Sequence, residues 1–111
     1  HCISSYPTKT EDINLKVIIT LKDRYNCLVG YSGHETNVNI APSTVLYGSC
    51  VIERHFTLDR SMKGPDHAAS LESTGLELLV KRSNALHSAM GTSEKKVLES
   101  EVKNRLKFRG Y

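Results

Sequence analysis

Apolar residues along the chain fall into short continuous runs and longer spaced ones, and the two kinds alternate. His1 to Ser4 reads as the end of a strand, and Tyr6-Pro7 then forces a loop, because a residue before proline is steered away from helical backbone. Ile13 and Val17, followed by Thr20 or Leu21, fall at helical spacing, with Leu15, Ile18 and Ile19 widening the face. Thr10 is placed to cap this helix and Glu11 and Asp12 to meet the positive end of its dipole, which predicts a helix over 11–25.

Cys27 to Tyr31 reads as a buried strand ending in Ser32-Gly33-His34. Residues 41–48 hold Pro42 where a first helical turn tolerates it and Gly48 where a helix stops, so a short helix is expected. Cys50 to Thr57 forms the next strand, apolar at first and polar as it emerges at His55. Leu58 to Ala69 is a charged loop broken by Gly64-Pro65. The longest helical pattern runs from Ser70 to Met90, with Gly91 placed to end it. From Thr92 onward no strong period is visible.

The order strand, helix, strand, helix, strand, helix, with short connections, implies parallel strands and right-handed crossovers. Such βα units build α/β proteins, either doubly wound sheets or (β/α)₈ barrels, in which chemistry sits at the carboxyl ends of the strands. Ser4, Tyr6, Ser32, His34, His55 and Asp66 all lie at or just beyond such ends. If the second and third strands are neighbours, His34 and His55 emerge at one end of a sheet, with Asp66 eleven residues past His55 (66 − 55). Adjacent strands lie about 4.8 Å apart, so two such imidazoles can share one ion. Three strands cannot close a barrel of about eight strands and ~250 residues.

Composition narrows the classes. At 111 residues, 39% hydrophobic and 24% charged, the chain allows one domain with a core. The net charge of +3 is spread out except for Lys103 to Arg109, which lacks the interleaved aromatics of a nucleic-acid face. No apolar run approaches the roughly 18 residues of a membrane span. The three cysteines, Cys2, Cys27 and Cys50, lack CxxC spacing, which argues against a disulfide framework or structural zinc and for a reducing, cytoplasmic setting. They are expected to be buried thiols. Glu53-Arg54 reads as a structural ion pair along its strand, and His1, His67 and His87 need no role beyond structure or solvation. The opening His1-Cys2-Ile3 reads as a strand entered partway, as in a piece of a longer protein.

Five words in order, HCISSYPT, EDINLKVIITLK, GYSGHET, VIERHFTLDRSMKGPDHAASLE and GLELLV, followed by KKVLESE, resemble the catalytic domain of the N-acetylneuraminate (sialic acid) synthase family. The resemblance implies a partial (β/α)₈ TIM barrel made of its last three βα units over residues 1–98, with residues 99–111 starting the linker to an antifreeze-like domain. It further implies condensation of phosphoenolpyruvate with N-acetylmannosamine or its 6-phosphate, a homodimeric full-length enzyme, and a requirement for manganese or magnesium. His34 and His55 match the family's metal ligands, Ser32 a serine near phosphoenolpyruvate, and Tyr6 and Asp66 residues that hold the sugar. Ser4 falls where some members carry an asparagine that contacts phosphoenolpyruvate, and Gly33 replaces the aspartate of many bacterial members, as in the animal form. The family's phosphate-binding lysines and early-strand glutamate have no counterpart, so the chain alone is expected to turn nothing over. Two other readings stay open: a non-catalytic remnant or interaction module, and a synthase for legionaminic, pseudaminic or spore-coat sugar acids.

Overall fold

The computed structural model describes residues 1–110. It is an α/β arrangement with two parallel strands, β1 (Tyr31–Gly33) and β2 (Ile52–Arg54), and four α-helices: α1 (Val17–Tyr25), α2 (Ile40–Ser43), α3 (Ser73–Met90) and α4 (Glu99–Arg109). Tyr31 lies opposite Ile52, Ser32 opposite Glu53 and Gly33 opposite Arg54. Extended backbone continues this order on both sides. Cys2 bridges Ser32 in parallel, and Phe56 bridges Leu71 in parallel, so four segments lie side by side in chain order.

The first expected strand is thus a single bridge at Cys2, and the strand expected over Cys27 to Tyr31 begins only at Tyr31. Leu28, the most apolar-looking member of that run, is 86% exposed. The expected helix over 11–25 is broken in two, a 3₁₀ turn Thr10–Asp12 and then α1. Asn14 takes a left-handed backbone (φ 52°) between them, a conformation asparagine tolerates better than most residues. Thr10 therefore does not cap α1, whose N-cap is Lys16. The helix ends at Asn26, also left-handed, whose N–H donates to the Lys22 carbonyl at 2.8 Å.

Residues 41–48 follow expectation closely: α2 passes into a 3₁₀ turn, Thr44–Tyr47, which stops at Gly48 with φ 82°. Helix α3 starts three residues later than the pattern implied, at Ser73, and ends at Gly91 as expected. The structure departs from the reading beyond Thr92, where α4 forms. Its residues, ESEVKNRLKFR, are strong helix formers with acidic side chains in the first turn and basic ones in the last. The Glu101 carboxylate accepts the Leu98 N–H at 2.8 Å, and the Gly110 N–H closes the other end on the Leu106 carbonyl.

The core lies between the helices and one face of the β1–β2 ribbon. Ile13, Ile18, Val29, Tyr31, Ala41, Leu71 and Leu79 form one cluster, against which Leu15, Val38 and Ile52 pack. No residue of α4 is buried. The molecule is correspondingly drawn out, with extents of 64 × 35 × 21 Å and a radius of gyration of 18.6 Å, where a compact chain of this length has about 13 Å.

Candidate active site

Side chains alternate across a strand, so each face of the ribbon has its own set of residues. Ser32 and Glu53 face each other on the side away from the helices, and the Ser32 hydroxyl donates to Glu53 Oε1 at 2.7 Å. One step further along each strand, past the last paired residues, come His34 and His55. Their ring centroids are 5.2 Å apart, edge to face. Tyr6, from the loop after the Cys2 bridge, completes the group, 4.2 Å from His34 and 5.8 Å from His55 between centroids.

His34 is buried and held firmly. Its Nδ1 lies 2.8 Å from the Ile3 carbonyl, and since a carbonyl can only accept, Nδ1 is the donor. The other nitrogen, Nε2, has no hydrogen-bond partner among the described residues, the orientation that outer-shell contacts impose on metal-binding histidines. The Cys2 thiol stands 3.9 Å from the same Nδ1. His55 is half-buried. Its Nδ1 is 3.9 Å from Asp66 Oδ2, near enough for attraction to an imidazolium and too far for a hydrogen bond.

The structure thus brings together Tyr6, His34, His55 and Asp66, with Ser32 two residues before His34 on the same face. Ser4 is exposed, and among the described residues it has no hydrogen-bond partner. Among the described residues no group of three or more His, Cys, Asp or Glu side chains is arranged to hold a metal ion. What the chain offers a divalent cation is a pair of imidazoles, one held through its Nδ1 donor, which fits a metal that takes its remaining ligands from elsewhere.

The opposite face carries a network absent from the sequence reading. Glu35 and Arg54, the neighbours of His34 and His55, are buried, their side chains 1% and 3% exposed, and paired at 3.0 Å. Arg54 Nη2 donates to the Glu35 and Ala69 carbonyls as well. Tyr31 donates its hydroxyl to Glu35 Oε2 at 2.8 Å. Burial, and then the adjacent Glu35 charge, hold the Tyr31 phenol well above its ordinary range, so it remains a donor. Only Arg54 Nε is left buried without a partner among the described residues.

Several expectations are corrected here. Glu53 and Arg54 do not pair with each other: strand alternation sends them to opposite faces, Glu53 to Ser32 and Arg54 to Glu35. The period of two in Glu53-Arg54-His55 was the signal that Glu53 shares the face of His55. His67 is not simply solvated, since its Nδ1 lies 2.8 Å from the Thr57 hydroxyl. All three cysteines are free and exposed rather than buried.

Parallel strands in chain order with imidazoles at their carboxyl ends make a site of the kind βα units build, and the comparisons show which family the chain comes from. The chain belongs to the NeuB family, matched over residues 1–95. It is 45% identical over 104 residues to the N,N'-diacetyllegionaminic acid synthase of Campylobacter jejuni, and 42% identical over 102 residues to the human N-acetylneuraminate-9-phosphate synthase. These matches cover 94% and 91% of this chain and 31% and 28% of the relatives. Among solved structures, the N-acetylneuraminic acid (sialic acid) synthetase of Leptospira borgpetersenii superposes with a TM-score of 0.80 at 34% identity, covering all of this chain and 40% of that one. The chain therefore spans about a third of the length of the curated relatives it matches. No described helix is long and apolar enough to cross a membrane.

Proposed function

We propose that this chain is the carboxyl-side part of a (β/α)₈ barrel, its last three βα units, in an enzyme that condenses phosphoenolpyruvate with an N-acylated amino sugar, N-acetylmannosamine or its 6-phosphate, to give a nine-carbon sugar acid and inorganic phosphate. The observation that carries the reading is the pair His34 and His55, on neighbouring parallel strands, facing each other with the Nε2 of His34 unpartnered among the described residues. These two residues would hold a divalent cation, manganese or magnesium. Bound there, such a cation supplies Lewis acidity toward a carbonyl oxygen.

The other residues act around this pair. Tyr6 lies against both imidazoles and, with 45% of its surface exposed, offers its ring to a sugar. Asp66, more than half exposed beside His55, has two acceptor oxygens for sugar hydroxyls. Ser32 can donate to a phosphate or carboxylate oxygen once it turns from Glu53. Ser4, open to solvent, is free to swing toward the same anion. The relatives are named as synthases of several sugar acids, which makes the legionaminic, pseudaminic and spore-coat precursors alternative substrates for the same chemistry, and cytoplasmic location and homodimerisation belong to the same proposal.

The test is the product of the complete reading frame, assayed with phosphoenolpyruvate and each sugar. Metal-dependent release of phosphate that vanishes in His55→Ala is the expected result. Unchanged turnover of that variant at saturating manganese overturns the ligand assignment.

A further inference from the structure

We propose that the buried Tyr31–Glu35–Arg54 network is a positioning device that fixes the separation of His34 and His55 from the opposite face of the ribbon. The inference rests on the reading of that pair as metal ligands. Glu35 follows His34 directly and Arg54 directly precedes His55, so each histidine shares a peptide unit with one partner of the ion pair. Beyond Gly33 and Arg54 the β1–β2 ladder ends: the His34 carbonyl accepts from the Thr8 N–H and the His55 carbonyl from the Leu71 N–H, each on its outer side, and the two strands are no longer bonded to each other through their backbones. Arg54 closes that gap. Its Nη1 donates to the Glu35 carboxylate, and its Nη2 to the Glu35 carbonyl on the β1 side and to the Ala69 carbonyl on the other side, just before the Leu71 segment. Three adjacent segments are thereby tied at one level, immediately behind the two rings.

The chain makes room for this network. A Cβ on Gly33 would stand 2.5 Å from Glu35 Oε2 and 2.6 Å from Tyr31 Cε1, and neither can move aside, because the carboxylate is held by Arg54 and Tyr31 and the ring is packed in the core. Glycine at 33 and glutamate at 35 are therefore one structural choice. A guanidinium fork is planar and rigid, which suits it to setting a distance. An ion pair this buried is not required for stability alone, since well-packed apolar residues commonly replace such pairs without loss.

The last point gives the test. Manganese binding to the product of the complete reading frame is followed from the electron paramagnetic resonance signal of the free ion, and the thermal midpoint is measured on the same samples. The double variant Glu35→Met/Arg54→Met is expected to keep its midpoint while its manganese dissociation constant rises about tenfold or more, the scale on which outer-shell contacts act. Glu35→Gln, which retains an oxygen for Arg54 and a polar partner for Tyr31, is expected to stay within about threefold of the parent. A double variant that folds and binds manganese as the parent does overturns the proposal. If the double variant does not fold, Tyr31→Phe decides: a several-fold weaker constant supports the network and an unchanged one overturns it. His55→Ala serves as the separate control. Manganese binding indifferent to His55 refutes the proposed ligand pair, whereas binding that needs His55 and ignores Glu35 and Arg54 refutes only the positioning role.

Discussion

The two faces of the β1–β2 ribbon use the same short stretches of chain for opposite ends. The face toward the helices carries Tyr31, Gly33, Glu35 and Arg54, with every polar atom but Arg54 Nε matched among them and the nearby backbone. The other carries Ser32, His34, Glu53 and His55, in which one imidazole nitrogen is deliberately left over and the neighbouring carboxylates face solvent. Satisfaction on one side makes incompletion possible on the other. His34 and His55 are each bonded outward, to Thr8 and Ile3 and to Leu71, and Glu35 and Arg54 tie the two strands to each other beneath them.

This contrast can be broken from either side. The largest effect is expected on the open face, where His55→Ala should abolish metal-dependent condensation at a stability cost of about 1 kcal/mol, the centre of the range for single substitutions. Turnover and chemical denaturation measured on one preparation check both halves. On the packed face the single substitution Arg54→Met strands the Glu35 carboxylate in the interior, and a loss of about 3–5 kcal/mol is expected by denaturant titration. Gly33→Ala pushes on the ring and carboxylate at once, with an expected cost of about 1–3 kcal/mol as in other overpacked sites. It sharpens the comparison because Gly33 touches only the packed face, so any change in manganese affinity must pass through the network. The smallest effect lies outside both faces: Leu106→Ala, on the unburied α4, should change stability by less than about 0.5 kcal/mol.

The order of elements up to α3 and the placement of both histidines at strand ends were legible because they rest on strong signals, apolar runs bounded by turn residues and polar side chains at the end of each run. The family likeness was legible in words such as GYSGHET and VIERHFT, and the match over residues 1–95 bears it out. Strand limits were not. Leu28 and Val51 read as core by composition but are 86% and 61% exposed, and the ladder forms a little further along, where Tyr31 and Ile52 meet. The break in the first helix depended on one left-handed asparagine, Asn14, which spacing alone does not reveal. Helix α4 was missed because it has no apolar stripe to read, although its helix-forming composition and the glycine at 110 were there to be weighed. The Glu35–Arg54 pair was hidden for a different reason. Its members lie 19 residues apart, and Arg54 already had an adjacent glutamate as an obvious partner; only the alternation of the strand separates Glu53 from it.

The most direct measurement is electron spin echo envelope modulation on the manganese-loaded product of the complete reading frame. Modulation from two directly bound imidazole nitrogens is expected, one lost in His34→Ala and the other in His55→Ala. Tightly bound manganese that shows no nitrogen modulation, or modulation that survives both substitutions, would contradict the account.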